Sequence, residues 1–315
     1  MEQEHATFAD WMSHLPEELW NVPLWELAIP GSHDSMTYCL DTHSPVLDSE
    51  SWLLWWLDWL APCITRPCIY HWATTQVCCI SKQLDAGIRY FDLRIAHKTT
   101  DDTLYFAHAI YTLQTVKEAL SSMAVWLKQH QKEIVILSCS HFYKLSEAEH
   151  EALVSFIIQL FGDKLCPRQD APCLSKCWKQ GQQVIVSYEE NKTLKQHNEL
   201  WPNIPYWYAN NADPRQVIFY LEDKQKTQGR PAAQFFVSGL NITEDTALVV
   251  CHPCLTLREW TMESFPLLLN WVEKQSPGQE KTSVNIVCAD FVSLTDFVSV
   301  VIGLNKKLLK TKNHR

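Results

Sequence analysis

Six side chains in this sequence are of the types that move protons and hold phosphate, and each sits where an apolar run gives out. "AIPGSHDS" sets His33 and Asp34 side by side. "GIRYFDLRIAH" sets Asp92 and Arg94 two apart, so on a strand both project to one face. "LYFAHAIY" carries His108 and "VNIVCADF" carries Asp290. An imidazole titrates near neutrality, at about 6.5, so one ring can take a proton while another gives one. Each such transfer typically contributes ~10²–10⁴-fold. A guanidinium matches phosphoryl oxygens and neutralises the charge that develops on them. The carboxylates would fix the tautomer and orientation of each ring. Together the six suit cleavage of a phosphodiester.

Singly, each has a plainer reading. A strand histidine is more often a hydrogen-bonded core residue, an Asp-x-Arg pair is usually a structural salt bridge, and Asp290 alone is a helix cap. Only a fold that gathers them gives them a common purpose. Short apolar runs at Leu24–Ile29, Ile88–Ile95, Leu104–Ala109, Glu133–Cys139, Gln183–Tyr188, Pro205–Tyr208, Phe235–Leu240 and Val284–Ala289 read as strands. Several, such as "IVIL" at 134–137 and "VNIV" at 284–287, are continuous and not alternating, which marks strands covered on both faces. Helical patterns separate them. A stripe begins at Thr112 and runs through Leu113, Val116, Leu120, Met123 and Leu127; "LSEAEHEALVSFIIQLFG" opens on a Ser146/Glu149 capping box and stops at Gly162; Phe297, Val301, Leu304 and Leu308 form a third. This order predicts an α/β fold, an irregular (β/α)8 TIM-type barrel in a single domain, with the chemistry at the strand C-termini. Pro30-Gly31 reads as the end of the first strand. The alternative is an open doubly wound sheet, but no GxGxxG or Walker loop supports it. The barrel is expected over residues 21–310, with 1–20 as an N-terminal extension and 311–315 as a basic tail.

Bulk composition narrows the class. A formal net charge of −9 argues against general nucleic-acid binding, which needs clustered cations. Lys306, Lys307, Lys310, Lys312 and Arg315 fit a helix C-terminus followed by a frayed end, the alternative being a weak contact with an anionic membrane. The acidic N-terminus lacks an apolar signal core, and no apolar run reaches membrane-spanning length. The twelve cysteines, irregularly spread, read as reduced thiols, and the expected location is cytoplasmic. "CHPC" at 251–254 is half a zinc motif without a matching second pair, so no metal is expected there.

"IPGSHDSMTYCL", "QLDAGIRYFDLRIAH", "LYFAHAIY" and "NIVCADF" resemble, in order and spacing, the X domain of phosphatidylinositol-specific phospholipase C, and above all the small animal proteins built of that domain alone. The resemblance spans nearly the whole chain. It implies a distorted (β/α)8 barrel and a calcium-independent phosphoric diester hydrolase that cleaves phosphatidylinositol to diacylglycerol and an inositol cyclic phosphate. His33 matches the general base, Asp290 the carboxylate that orients it, His108 the general acid, Asp34 its partner and Arg94 the phosphate-binding arginine; Asp92 matches a supporting acid. Calcium-dependent members carry asparagine after the first histidine and Glu-x-Asp on the second strand. Here Asp34 and Asp92-x-Arg94 stand instead, so no calcium is expected. Other outcomes that the resemblance allows are an inactive lipid-binding barrel and action on another head group. Bacterial members hold the inositol with basic residues on the fourth and fifth strands, and none stands there in this chain. Tyr188, Trp207 or Tyr208 could stack on the ring instead. "SWLLWWLDWLAPCI" places Trp52, Trp55, Trp56 and Trp59 on a helix apolar nearly all round, which either packs in the core or dips into a lipid surface.

Overall fold

The computed structural model describes residues 8–243 and 256–312; the Cys251–Cys254 motif and residues 313–315 of the basic tail lie outside them. The strands are β1 (Ile29–Ser32), β2 (Tyr90–Lys98), β3 (Thr103–His108), β4 (Ile110–Thr115), β5 (Val135–Tyr143), β6 (Val184–Tyr188), β7 (Leu200–Trp201), β8 (Tyr206–Trp207), β9 (Val237–Gly239) and β10 (Ile286–Ala289). Eight of them run parallel in the order β7-β6-β5-β2-β1-β10-β9-β8, a curled sheet of the TIM-barrel type. No ladder joins β7 to β8 among the described residues. The four residues between them include Pro202 and Pro205, which lack the N–H a ladder needs.

Alternation along each strand sets the layers. Phe91, Leu93, Val135, Leu137, Val184, Val186, Val287 and Ala289 face outward into a core shared with the surrounding helices. Ile29, Tyr90, Ile136, Ile185, Val237 and Ile286 face inward and form a second core in the lower half of the barrel. Trp11, Met12, Leu15, Leu19 and Val22 close this core from below, so the described N-terminal residues are the barrel's floor. They are fastened there by a buried ion pair. Arg89 and Glu133 meet at 2.8 Å, Glu133 accepts from the N–H groups of Met12 and Ser13, and Arg89 donates to the Ala9 carbonyl. Gly31 permits the inward crowding: a Cβ there would lie 2.9 Å from the Tyr90 ring and 3.1 Å from Ile286.

Several elements differ from their sequence expectation. Leu24–Glu26 is a 3-10 turn, and β1 begins at Ile29, so Pro30-Gly31 lies inside the strand and the chain turns only at Asp34, whose φ is +41°. The helix Val116–Gln129 starts after Thr112 and Leu113, which belong to β4. Thr115 caps it in a box with Glu118, a polar N-terminal signal stronger than the apolar spacing before it. The helix Glu147–Phe161 has its Ser146 cap and its Gly162 terminus as expected. The run containing His108 is not a barrel strand. β2 overshoots the rim and folds back antiparallel on β3, and β3 pairs with β4, so this hairpin brings His108 down over the barrel mouth from above.

The first two helices, α1 (Trp52–Leu60) and α2 (Pro62–Ala73), form a hairpin. α1 has no buried residue: Trp52 and Trp59 are 79% and 72% exposed, and Trp55 and Trp56 about half. The packed-core reading of this helix therefore does not hold. Its one acid, Asp58, is ion-paired to Arg66 of α2 at 2.8 Å. Among the described residues, no helix is long and apolar enough to cross a membrane.

Candidate active site

The inward positions of the strands change from apolar to polar toward their C-termini. Above Tyr90 on β2 come Asp92 and Arg94; above Ile136 on β5 come Ser138 and Ser140. These residues line a cavity of about 420 Å³ together with His33, His108 and Asp290.

His33 is the centre. Its Nδ1 lies 2.7 Å from Asp290 Oδ1, and its Nε2 lies 2.9 Å from an Arg94 terminal nitrogen. A guanidinium only donates, so this contact requires a lone pair on Nε2 and places the ring proton on Nδ1, donated to Asp290. Asp34 stands opposite. Its Oδ1 is 2.6 Å from Arg94 Nε, and its Oδ2 is 3.4 Å from His33 Nε2 and 3.6 Å from His108 Nε2. The two imidazoles thus face each other across one carboxylate oxygen, which is buried and has no hydrogen-bond partner among the described residues. His108 Nδ1 donates to the Ala73 carbonyl at 2.7 Å, leaving its Nε2 toward the gap. Asp92 accepts from the Asp34 N–H at 3.2 Å and lies 3.4 Å from Arg94, so it holds the turn and the guanidinium together.

Burial sets the electrostatics. It pulls the His33 pKa down, but Asp34 and Asp290 outweigh it and hold the ring up to about 9. Burial raises Asp290, with His33 opposing. Asp34 stays below the ordinary carboxylate range, because Arg94, His108 and His33 together overcome its burial. The protonated form of His33 must give up the Arg94 contact, so protonation and Arg94 compete for one lone pair. His33, Asp34 and Asp92 also place ligand atoms within 4.8 Å of one another, a spacing that a cation could use. Arg94 already touches both carboxylates, and the chain itself supplies the positive charge there.

All six residues singled out for chemistry are brought together. The aromatic trio is divided by strand alternation. Tyr208 lines the cavity. Tyr188 shares the outward register of Val184 and Val186 and is fully buried, its hydroxyl against His150 Nδ1 at 2.7 Å. Trp207 likewise faces outward, against Phe236. Neither is placed to stack on a bound ring. The inward residue of that pair of positions is Tyr206, which hydrogen-bonds Asn241 and sits close to His33. Two-residue periodicity anchored on either strand would have selected it. Thr75, His141, Glu189, Asn203 and Asn241 also line the cavity, and they sit on loops or strand ends where no pattern announces them.

Solved structures share this architecture. Phosphatidylinositol-specific phospholipase C from Listeria monocytogenes superposes with a TM-score of 0.65 at 19% identity, over 95% of this chain and 99% of that one. A phosphatidylinositol-specific phospholipase C from Staphylococcus aureus gives 0.66 at 14% identity, over 94% and 97%. At these identities the likeness defines the fold class, the TIM-type barrel of the phosphatidylinositol-specific phospholipases C. No family model matches the chain. Sequence makes the narrower assignment. The chain is 51% identical over 310 residues to PI-PLC X domain-containing protein 1 of Danio rerio, covering 97% of this chain and 99% of that protein. It is 48% identical to the human protein of that name (95% and 93% covered) and 38% to mouse PI-PLC X domain-containing protein 3 (95% and 94%). It belongs to the PI-PLC X domain-containing proteins.

Proposed function

We propose that this chain is a phosphoric diester hydrolase acting on phosphatidylinositol or a related phospholipid by acid–base chemistry, with no calcium or other cofactor. The observation that carries the reading is the convergence of both Nε2 atoms on Asp34 Oδ2, with the Arg94 guanidinium on the other oxygen of the same carboxylate. Binding alone needs no such acid–base pair.

The scissile phosphate binds Arg94, which turns from His33 toward it. His33 Nε2, now free, takes the proton of the neighbouring inositol hydroxyl as that oxygen bonds to phosphorus. Asp290 stabilises the imidazolium that forms. His108 Nε2 gives its proton to the diacylglycerol oxygen as the bond from phosphorus to that oxygen breaks, with Asp34 Oδ2 3.6 Å from that nitrogen. The products are diacylglycerol and an inositol cyclic phosphate. Water can then open the ring with the two histidines in exchanged roles, which returns both to their starting states. The nucleophile is part of the substrate, so much of the entropic barrier is already overcome. Tyr208 and Tyr206 offer ring faces or hydroxyls to the inositol.

Lipid substrate also gives the exposed tryptophans of α1 a partner, the surface of a phospholipid membrane. Asp58 and Arg66 neutralise each other, which lowers the cost of dipping this hairpin into the interface.

The test is to incubate the purified protein with phosphatidylinositol vesicles and excess chelator. Release of inositol cyclic phosphate by wild type, lost in both His33→Ala and His108→Ala folded variants, supports the reading. Vesicle binding without turnover assigns a lipid-binding barrel instead, and equal activity in the variants refutes the site.

A further inference from the structure

His33 and Asp290 follow two neighbouring strands, β1 and β10, whose ladder ends at Ser32 and Ala289. One more bond, from His33 N–H to the Ala289 carbonyl at 3.2 Å, prolongs it. Beyond that point both chains turn through left-handed residues, Asp34 at φ +41° and Phe291 at φ +50°. Past the turn, Ser35 Oγ donates to the Ser32 carbonyl at 2.9 Å, and Asp92 of β2 accepts from the N–H groups of Asp34 and Ser35, all on the His33 side only.

A segment from elsewhere ties both ends together. Gln76 donates through Nε2 to the carbonyls of His33 at 2.9 Å and Ala289 at 3.1 Å, and its Oε1 accepts from Val292 N–H at 3.3 Å. Thr75 Oγ1 lies 3.0 Å from the His33 carbonyl and 2.8 Å from Thr37 Oγ1, and the Thr75 carbonyl accepts from Phe291 N–H at 2.7 Å. Both side chains are almost wholly buried. Two residues earlier, the Ala73 carbonyl holds His108. The loop leaving α2 therefore touches the backbone carbonyls of the base and of the residue after it, the backbone on either side of its carboxylate, and the ring of the acid.

We infer that Thr75 and Gln76 are positioning residues, which hold the His33 and Asp290 side chains at working separation by clamping the backbone that carries them. The inference rests on the phospholipase reading for its kinetic consequence only. Neither residue touches a reacting atom. Displacement of a catalytic group by about 1 Å can cost about 100-fold in rate.

The test uses Thr75→Val, which keeps the shape and removes the hydroxyl, and Thr75→Ser, which restores it. The first readout is kcat against KM on phosphatidylinositol vesicles. The second is an NMR titration of the His33 ring, which needs no turnover. The groups facing that ring are Asp34 on its own turn, Asp92 and Arg94 from β2, His108 from β3, His141 from β5, Tyr206 from β8 and Asp290 after β10, and none of them is substituted in either variant. The expected result for Thr75→Val is a loss of about 10–100-fold in kcat with KM nearly unchanged, and a His33 midpoint displaced downward as Asp290 recedes. Thr75→Ser should behave as wild type in both. Gln76→Met should repeat the Thr75→Val pattern. A wild-type His33 titration in Thr75→Val, or an equal loss in Thr75→Ser, overturns the inference. If wild type itself does not turn over phosphatidylinositol, the phospholipase reading fails, while a displaced midpoint in Thr75→Val alone still upholds the clamp.

Discussion

His33 carries two demands that pull against each other. As a base it must be neutral, yet Asp34 and Asp290 hold its pKa up to about 9 against the effect of burial. The sign follows directly. Below that pKa the ring is protonated and cannot accept the hydroxyl proton, so kcat/KM should climb with pH, about tenfold per unit, until it levels near 9. Removing one of the supporting charges lowers the His33 pKa. Asp290→Asn should therefore move this limb to lower pH while cutting the maximal rate roughly 100-fold or more, because the ring loses the partner that fixes its tautomer. A pH–rate profile of the two proteins checks both effects, and an unmoved limb would detach Asp290 from the base. The chemistry was legible from residue types because imidazole, guanidinium and carboxylate sit at the ends of apolar runs. The supporting hydrogen bonds were not. Thr75 and Gln76 are uncharged residues in a loop, and their importance comes from carbonyls far away in the chain.

At the scale of elements, alternation decides what a strand offers to the site. Tyr188 and Trp207 looked as good as Tyr208 in a list of aromatics, and only the register sends the first two outward. The same holds for His108. Its run was readable as a strand, but the folding-back of β2 that makes it part of a hairpin over the mouth is a tertiary event with no local signature. The α1–α2 hairpin was ambiguous for a different reason. A helix apolar on all sides reads alike whether it is buried in protein or faces lipid, and its exposure is what separates the two. With the membrane as partner, Trp52→Ala/Trp59→Ala should weaken partitioning onto phosphatidylinositol-containing vesicles by about tenfold or more, given ~25 cal/mol per Å² of apolar surface withdrawn from water. Vesicle sedimentation measures this, and unchanged binding would remove the hairpin from the lipid contact.

The whole molecule is a barrel with a greasy floor and a polar mouth. Continuous β-branched runs separated by amphipathic helices made that class readable, while the short β7 and the open seam beside it escaped because two residues and two prolines carry no strand pattern. The floor rests on Arg89 and Glu133. Burial lowers the first pKa and raises the second, so each partner only partly offsets the cost of placing the other there. Glu133→Gln should leave Arg89 unpaired and cost about 3–5 kcal/mol, read as a fall in the urea midpoint, with the active-site residues untouched; a midpoint within error of wild type would contradict this account of the floor.

The division of labour between the two histidines is the claim on which the rest turns, and the leaving group tests it most directly. Turnover of phosphatidylinositol should be compared with that of an inositol phosphodiester whose leaving group is p-nitrophenol, an oxygen that departs without protonation. His108→Ala should lose most of its activity on the lipid and recover much of it on the aryl ester. His33→Ala should be equally impaired on both. Equal losses for His108→Ala on the two substrates, or a rescue of His33→Ala by the aryl ester, would contradict the assignment of acid and base.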